Sequence, residues 1–306
     1  MSISKIDKEN YPSIALIDNT LRANHRFAAG SIDRCIDLFG QAWATEFEQV
    51  IGSLFPSTEA LVAAVKGYAT FAMQSMRLQA QFERELKYKA KTHEQAASEV
   101  YFNEQHMMQE YLPGLLLSHF LWPHHYRQLQ FFDSAFIQAM RVAGATSFME
   151  VGIGTGLYSS LLLRKLPQVT GRGLDISPSS KQFTEAQMEA LKIANRYQVE
   201  LRDVTITPMG PKVSWLVCVE VLEHLDDPVA FLRGLRRNME PGARAFITAA
   251  LNAAHTDHIY LYRNAHEVLA HLIEAGFTLE QSFVGSAYKP ASTGLPVPEA
   301  AAFIVY

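Results

Sequence analysis

The chain has 306 residues, 48% of them apolar, which suffices for a large core and, at usual domain sizes, for two units. The net charge is −4 and no dense Lys/Arg run occurs, so the electrostatic footprint of a nucleic-acid partner is missing. Only two cysteines, Cys35 and Cys218, are present, far apart and without metal-ligand spacing; a disulfide framework and a zinc site are not indicated, and a reducing, cytoplasmic setting is expected.

Residues 1–30 are expected to form an N-terminal arm. Its first stretch, Met1 to Tyr11, mixes Lys5, Asp7, Lys8 and Glu9 with apolar residues and carries no signal-peptide core. From Ser31 to about Ala143 the pattern is helical, punctuated at Gly40, Pro56, Pro113 and Pro123, and residues 31–143 are read as a separate helical unit. After Pro56, the residues Leu61, Val62, Val65, Tyr68, Ala69, Ala72, Met73 and Met76 keep helical spacing. Such a stripe needs a partner surface: plain helix packing, a lid over a substrate, or the pairing of two lids in a homodimer. The longest apolar stretches, Leu61 to Met76 and Tyr111 to Tyr126, are interrupted by Lys66 or by prolines and fall short of a membrane span.

The segment from Tyr111 to Tyr126 is apolar but studded with imidazoles. Tyrosine, tryptophan and histidine offer a rigid apolar body with a polar tip, which suits a pocket for a hydrophobic or aromatic acceptor. Tyr111, His119, Trp122, His125 and Tyr126 are therefore candidate substrate contacts, with satisfied core histidines as the plainer alternative.

Residues 144–306 alternate strand and helix, so a mostly parallel sheet covered on both faces is expected. Phe148 to Ser159 reads strand, glycine turn, helix, with Gly152, Gly154 and Gly156 leaving the turn open to close approach by a ligand. The dinucleotide fingerprint G-x-G-x-x-G has Leu157 where its third glycine belongs, which disfavours NAD or FAD and with them an oxidoreductase. Glu150, ahead of the glycines, would repel a pyrophosphate but hold a cationic amino-acid group.

These residues resemble the first motif, E-V-G-x-G-x-G, of the class I S-adenosylmethionine-dependent methyltransferases. Gly173 to Ser177 is similar to the segment whose acid, here Asp175 with Ile176 beside it, binds the ribose hydroxyls in that family. Leu201 to Val204 resembles the adenine-binding acid and its apolar neighbour, here Asp203 and Val204. The block from Glu220 to Pro228 is the most specific, and resembles the E-V-L-E-H-L-x-D-P segment of ubiquinone-biosynthesis O-methyltransferases. The resemblance implies an α/β fold, a Rossmann-like seven-stranded sheet of order 3-2-1-4-5-7-6, here behind an N-terminal all-α lid domain. Its last two strands would be the hairpin of Phe277 to Val284 and Ala301 to Tyr306. It also implies S-adenosyl-L-methionine as cofactor, with S-adenosyl-L-homocysteine as product, held by Glu150, Gly152, Gly154, Gly156, Asp175, Ile176, Asp203, Val204 and Glu220.

The stretch Leu251 to Tyr262 resembles the family's H-I-x-x-[FY] segment beside the acceptor pocket and adds Tyr260 to the candidate substrate contacts. Methyl transfer from a sulfonium needs an aligned, desolvated acceptor and, for a hydroxyl, a base. His224 and His258, with His255, are the candidate bases, a structural role for His224 standing beside this one. No metal is expected, although Glu220, Glu223 and His224 resemble the E-x-x-E-H metal segment of small-RNA ribose methyltransferases. The expected function is methylation of a hydrophobic or aromatic small molecule of natural-product type, oxygen favoured over carbon and nitrogen, with no nucleic-acid or membrane partner. A non-catalytic protein that senses the cofactor keeps the same motifs.

Overall fold

The computed structural model describes residues 10–207, 209–290 and 295–306. Two-thirds of the expected arm lies within the described residues and is helix. α1 (Pro12–Asn24) starts on a proline and buries Ile14, Ile17 and Leu21 against α2 (Ser31–Leu54) and α3 (Thr58–Glu85), so residues 12–30 belong to the helical unit. Residues 1–9 lie outside the description. Gly40 breaks α2 with a non-helical backbone, and Ser57 caps α3 by accepting from Ala60 N.

The stripe predicted on α3 is rotated in part. Leu61, Val65, Tyr68, Ala69 and Ala72 are buried with Phe71, whereas Val62, Met73 and Met76 are exposed. Beyond α3 the chain is irregular: α4 (His93–Ala96) and α5 (Glu104–His106) are each followed by a wide π-helical turn, Ala97–Tyr101 and Met107–Tyr111. α6 (Leu112–Leu121), α7 (Pro123–Phe131), a third wide turn (Phe132–Ile137) and α8 (Gln138–Val142) complete the unit.

The last carbonyls of a helix lack intrahelical donors. At the end of α6, Phe120 O receives the Trp43 indole N–H at 2.9 Å and the Cys35 thiol at 3.3 Å, which accounts for that buried cysteine. α3 and α6 approach closely because a side-chain carbon at Gly114 would lie 2.4 Å from Phe71 Cβ. Gly114→Val is accordingly expected to cost ~1–3 kcal/mol of stability, read as a lower denaturant midpoint at unchanged slope.

The sheet has the expected order. Strands β1 (Ser147–Val151), β2 (Thr170–Asp175), β3 (Tyr197–Leu201), β4 (Val213–Cys218) and β5 (Met239–Leu251) run parallel, and β6 (Leu279–Ser286) and β7 (Glu299–Val305) close it antiparallel in the order β3-β2-β1-β4-β5-β7-β6. Four helices connect its strands: α9 (Leu157–Lys165), α10 (Pro178–Ala190), α11 (Pro228–Arg237) and α12 (Ala265–Glu274). Ser177, Asp227 and Asn264 cap the last three, each accepting from a backbone amide of the first turn, as their sequence positions predict.

The helical unit is not separate from the sheet. Phe132 and Phe136 stack on each other and meet Phe246 and Trp215 edge-on at 4.8 and 5.4 Å, so one apolar core runs from α1 through the helices onto one face of the sheet. α7 and the turn after it cover the β5-β7-β6 side, a task that a parallel sheet must assign to some helix because both its faces are apolar. A boundary at 143/144 therefore cuts through a shared core.

Candidate active site

At the carboxyl end of β1 the chain passes through Gly152, Gly154 and Gly156 with φ of 74°, 51° and 72°, the left-handed region that favours glycine. At Gly152 a side-chain carbon would also meet Val221 at 2.4 Å. The turn is held by Asp175 at the end of β2: its Oδ2 accepts from Gly154 N at 3.2 Å and its Oδ1 from Ser177 N at 2.8 Å. Burial holds this carboxyl above its usual range, and those two amides work in the opposite sense.

Glu150 sits beneath the turn with 1% exposure. Its Oε2 accepts from the Ser159 hydroxyl and, at 3.2 Å, from the Tyr197 hydroxyl, so this carboxyl is already engaged within the fold. Burial pushes it up to about 8. An acid whose folded pKa is raised keeps a proton that the unfolded chain releases above 4.5, so its contribution to stability falls as pH rises from there to about 8. Glu150→Gln is expected to raise the unfolding temperature by several degrees at pH 8.5 and to leave it unchanged at pH 4, in melts of both proteins at the two pH values.

Glu220, just past β4, is a non-glycine residue at φ 51°. Thr248 of β5 accepts from its backbone N–H at 2.8 Å and donates to its Oε1 at 2.6 Å, while Gln128 of α7 donates to the same oxygen at 3.3 Å. The strained backbone is thus fixed by a neighbouring strand and by the helical unit.

The loop after β5 is tied back to the segment after β4, because Ile259 N and Tyr260 N both donate to Glu223 O. This brings the three predicted imidazoles together: His224 and His258 lie 4.9 Å apart and His255 and His258 5.7 Å apart, centre to centre. His224 Nδ1 meets Asp257 O at 3.0 Å and His258 Nδ1 meets Ala253 O at 2.6 Å; a carbonyl only accepts, so both nitrogens carry the proton. Burial and then His224 lower His258 to about 3. Glu223 is fully buried, and its oxygens have no hydrogen-bond partner.

Ligand atoms of Glu223, His224 and His258 lie within 4.8 Å of one another. Of the possible metal set Glu220, Glu223 and His224, with His255 or His258 as a fourth member, Glu223 and His224 converge with His258, while Glu220 Oε1 accepts from Thr248 and Gln128.

The helical unit closes over this rim. Tyr88 OH donates to Ala253 O at 2.8 Å, Lys91 Nζ to Thr256 O at 2.8 Å, and His93 Nδ1 meets His224 O at 2.8 Å. Between the two parts lies a cavity of about 620 Å³ that runs from the glycine turn to α3, α6 and α7. Glu150, Gly152, Gly154, Asp175, Ile176, Asp203, Val204 and Glu220 line it, as do His224, His255, His258, Tyr111, His119, Trp122 and His125.

Three predicted residues are outside this lining. Gly156 backs onto Thr184 of α10. Tyr126 packs on Phe39 and Phe120 within the helical core, with its hydroxyl on Glu46, and Tyr260 packs at a tilt on Tyr262 and edge-on to His271. In each tyrosine the helical or loop register turns the ring away from the cavity.

The wall opposite the glycine turn holds His119, His124 and His125 around Trp122. The His124 and His125 rings are 4.3 Å apart, His119 and His125 5.2 Å, and Trp122 and His125 5.0 Å. Burial lowers His119 to about 4 and His124 to about 3, so both are neutral near pH 7, and the Nδ1 atoms of both have no partner. Gln128 and Phe71 join the lining without having been singled out in the sequence, and His124, whose adjacency to His125 raised and did not support a metal site, joins it as well. Asp257 is the other unpredicted residue. It stands between His255 and His258 in sequence and is fully buried.

Residues 149–245 match a family model described as a methyltransferase domain. Those residues thus form a methyltransferase domain, and the 3-2-1-4-5-7-6 sheet with a glycine turn at the end of β1 is the arrangement that the resemblance to class I S-adenosylmethionine-dependent methyltransferases implies. Among curated proteins it is similar to the ubiquinone biosynthesis O-methyltransferase of Nitrosomonas europaea, 26% identical over 165 residues, or 46% of this chain and 67% of that protein. The corresponding protein of Alkalilimnicola ehrlichii is 28% identical over 140 residues, 44% of this chain and about half (53%) of its own length. Among solved structures the mitomycin 7-O-methyltransferase MmcR shares the fold at a TM-score of 0.53 with 16% identity, over 82% of this chain and 74% of that one. Among the described residues no helix is long and apolar enough to cross a membrane.

Proposed function

We propose that the chain transfers the methyl group of S-adenosylmethionine to a hydroxyl of an uncharged, largely aromatic or otherwise hydrophobic small molecule enclosed between the helical unit and the sheet. The observation that carries this reading is the single cavity joining the glycine turn and Asp175 to a wall of aromatic and neutral imidazole side chains. Among the described residues that lining holds two cationic side chains, Arg34 and Arg202, against five carboxylates, Glu83, Asp175, Asp203, Glu220 and Glu299, beside Glu150 and Glu223, which burial pushes up; this disfavours an anionic acceptor. The O-methyltransferase names of the relatives agree with oxygen as the acceptor atom.

In this reading Asp175 takes the ribose hydroxyls, Asp203 and Val204 flank the adenine, and the acceptor lies on Phe71, Trp122 and Tyr111 with His119 and His125 at its far end. His255, whose side chain lines the cavity, takes the hydroxyl proton on Nε2. The acceptor oxygen forms its bond to the methyl carbon as the carbon–sulfur bond breaks, its electron pair staying on sulfur. A neutral thioether, a methyl ether and an imidazolium result, and the imidazolium passes its proton to solvent. Enclosure and alignment supply most of the acceleration, because the sulfonium is already a reactive donor.

Calorimetric titration with S-adenosylhomocysteine and, separately, NADH tests the cofactor half. Micromolar binding of the first alone is expected, and binding of NADH alone would overturn the reading. Transfer of labelled methyl groups from S-adenosylmethionine to a panel of neutral and carboxylated phenols tests the acceptor half, with the neutral phenols expected as the better acceptors.

A second reading is favoured by the arrangement of Glu223, His224 and His258. Both imidazoles spend Nδ1–H on backbone carbonyls, which leaves each Nε2 lone pair available beside a buried carboxylate with no partner. These three side chains fit a divalent cation, which would lower the pKa of a coordinated hydroxyl. Metal analysis of the purified protein and of Glu223→Gln decides: stoichiometric metal lost in the variant supports this reading, and a metal-free, active wild type removes it.

A further inference from the structure

Asp257 collects donors from both halves of the protein. Tyr101 OH lies 3.1 Å and Tyr111 OH 2.7 Å from its Oδ2, while His255 Nδ1 lies 2.6 Å from its Oδ1. His224 Nδ1 is a further 3.5 Å contact to Oδ2. With donor atoms of Tyr101, Tyr111, His255 and His224 around its two oxygens, Asp257 has the surroundings of an ionised carboxylate. An ionised carboxylate only accepts, so both tyrosines donate to it and His255 Nδ1 carries a proton. A neutral imidazole has one N–H, which leaves the lone pair on Nε2, the buried atom of His255 with no partner in a side chain that lines the cavity.

The two tyrosines come from the last residues of the wide turns Ala97–Tyr101 and Met107–Tyr111, at the edge of the helical unit. Wide turns of this kind are uncommon and cost regular hydrogen bonding, and here each ends on a side chain that reaches the same carboxylate. Without them one oxygen of Asp257 would face the interior with only the more distant His224 contact, an arrangement that is expensive at zero exposure.

We propose that Asp257 is the positioning residue of the site: it fixes His255 as the Nδ1–H tautomer, leaving Nε2 as its basic nitrogen, and through Tyr101 and Tyr111 it makes that state depend on the helical unit being docked. The same carboxylate stabilises the imidazolium that forms when His255 takes the acceptor's proton. The role of His255 rests on the methyl-transfer reading above; the tautomer and its dependence on Asp257 do not.

The test uses the full chain labelled with ¹⁵N-histidine and saturated with S-adenosylhomocysteine, in long-range ¹⁵N–¹H spectra of the imidazole rings assigned with His255→Gln. His255 is expected as the Nδ1–H tautomer. In Asp257→Asn it should move toward Nε2–H while cofactor affinity stays within ~3-fold, since a hydrogen bond to a charged partner contributes ~1.5–3 kcal/mol to the tautomer choice and nothing here to the cofactor. In Tyr111→Phe the Nδ1 proton should exchange with solvent at least ~10-fold faster. An Nε2–H tautomer in the wild type overturns the proposal by itself, even if the Asp257 variant fails to fold. So does an Nδ1–H tautomer that Asp257→Asn leaves unchanged. Loss of S-adenosylhomocysteine binding in the wild type would instead strike the methyl-transfer reading, and is read from a calorimetric titration of the same sample.

Discussion

Asp175→Ala is expected to weaken S-adenosylhomocysteine binding by ~10²-fold or more and to lower the unfolding temperature by several degrees, since Gly154 N and Ser177 N lose their acceptor while the sheet is untouched. The carboxylate stands at the carboxyl end of β2, where it accepts from Gly154 N and Ser177 N and still has lone pairs facing the cavity. A ribose offers two adjacent hydroxyls, and a carboxylate is the one side chain that accepts from both at once. Each such charge-assisted bond contributes ~1.5–3 kcal/mol, and at ~1.4 kcal/mol per tenfold in affinity the pair accounts for ~10²–10⁴-fold. Asp175→Asn separates the two duties of the residue. The amide keeps one acceptor oxygen but cannot receive Gly154 N–H through its nitrogen, so an intermediate affinity is expected. Calorimetric titration of the three proteins measures this directly, and unchanged affinity in the alanine variant would remove Asp175 from the cofactor site.

That prediction draws on residues that the sequence exposes well. A glycine turn after an apolar strand, an acid closing the next strand and a capped helix after each are local features, fixed by backbone conformation and by neighbours within a few positions. The hairpin of β6 and β7 and the sheet order were implied by the resemblance of those ordered motifs to the class I methyltransferases. The features that escaped are those that depend on distant packing. Tyr111 and Tyr126 have the same chemistry and sit in the same segment, yet only Tyr111 reaches the cavity, because the π turn before α6 sets its direction while α7 turns Tyr126 onto Phe39. The shared core of Phe132, Phe136 and Phe246 likewise joins residues more than a hundred positions apart, so a boundary drawn from composition divides what packing unites. Asp257 was hidden for a different reason. An aspartate in a polar-looking loop reads as a solvated turn residue, and only the arrival of Tyr101 and Tyr111 from the helical unit makes it a buried acceptor. The sequence His255-Thr256-Asp257-His258, an acid flanked by imidazoles inside an otherwise apolar stretch, was the signal available for it.

His255→Ala is expected to lower kcat by ~10²–10⁴-fold, the usual range for loss of a positioned acid or base, with S-adenosylhomocysteine affinity unchanged. The three imidazoles near the cofactor differ in what their second nitrogen does, and this separates their variants. His255 has a carboxylate on Nδ1 and nothing on Nε2, the arrangement of a base whose orientation is set from behind. His224 and His258 are both held by backbone carbonyls and converge on Glu223. If proton removal by His255 limits the rate, its alanine variant should recover with acceptors of lower pKa, which ionise without help, while His224→Ala and His258→Ala lose activity to a lesser degree and show no such dependence on the acceptor. If a cation at Glu223, His224 and His258 activates the hydroxyl instead, those two variants fall together, lose bound metal, and lose the most; His255→Ala then stays near wild type. Initial rates of S-adenosylhomocysteine formation across acceptors of graded acidity, with metal content measured on the same preparations, distinguish the two outcomes. Full activity in His255→Ala toward a weakly acidic acceptor would exclude it as the base, because no other imidazole on that side of the cavity combines a carboxylate on one ring nitrogen with an unpartnered second one.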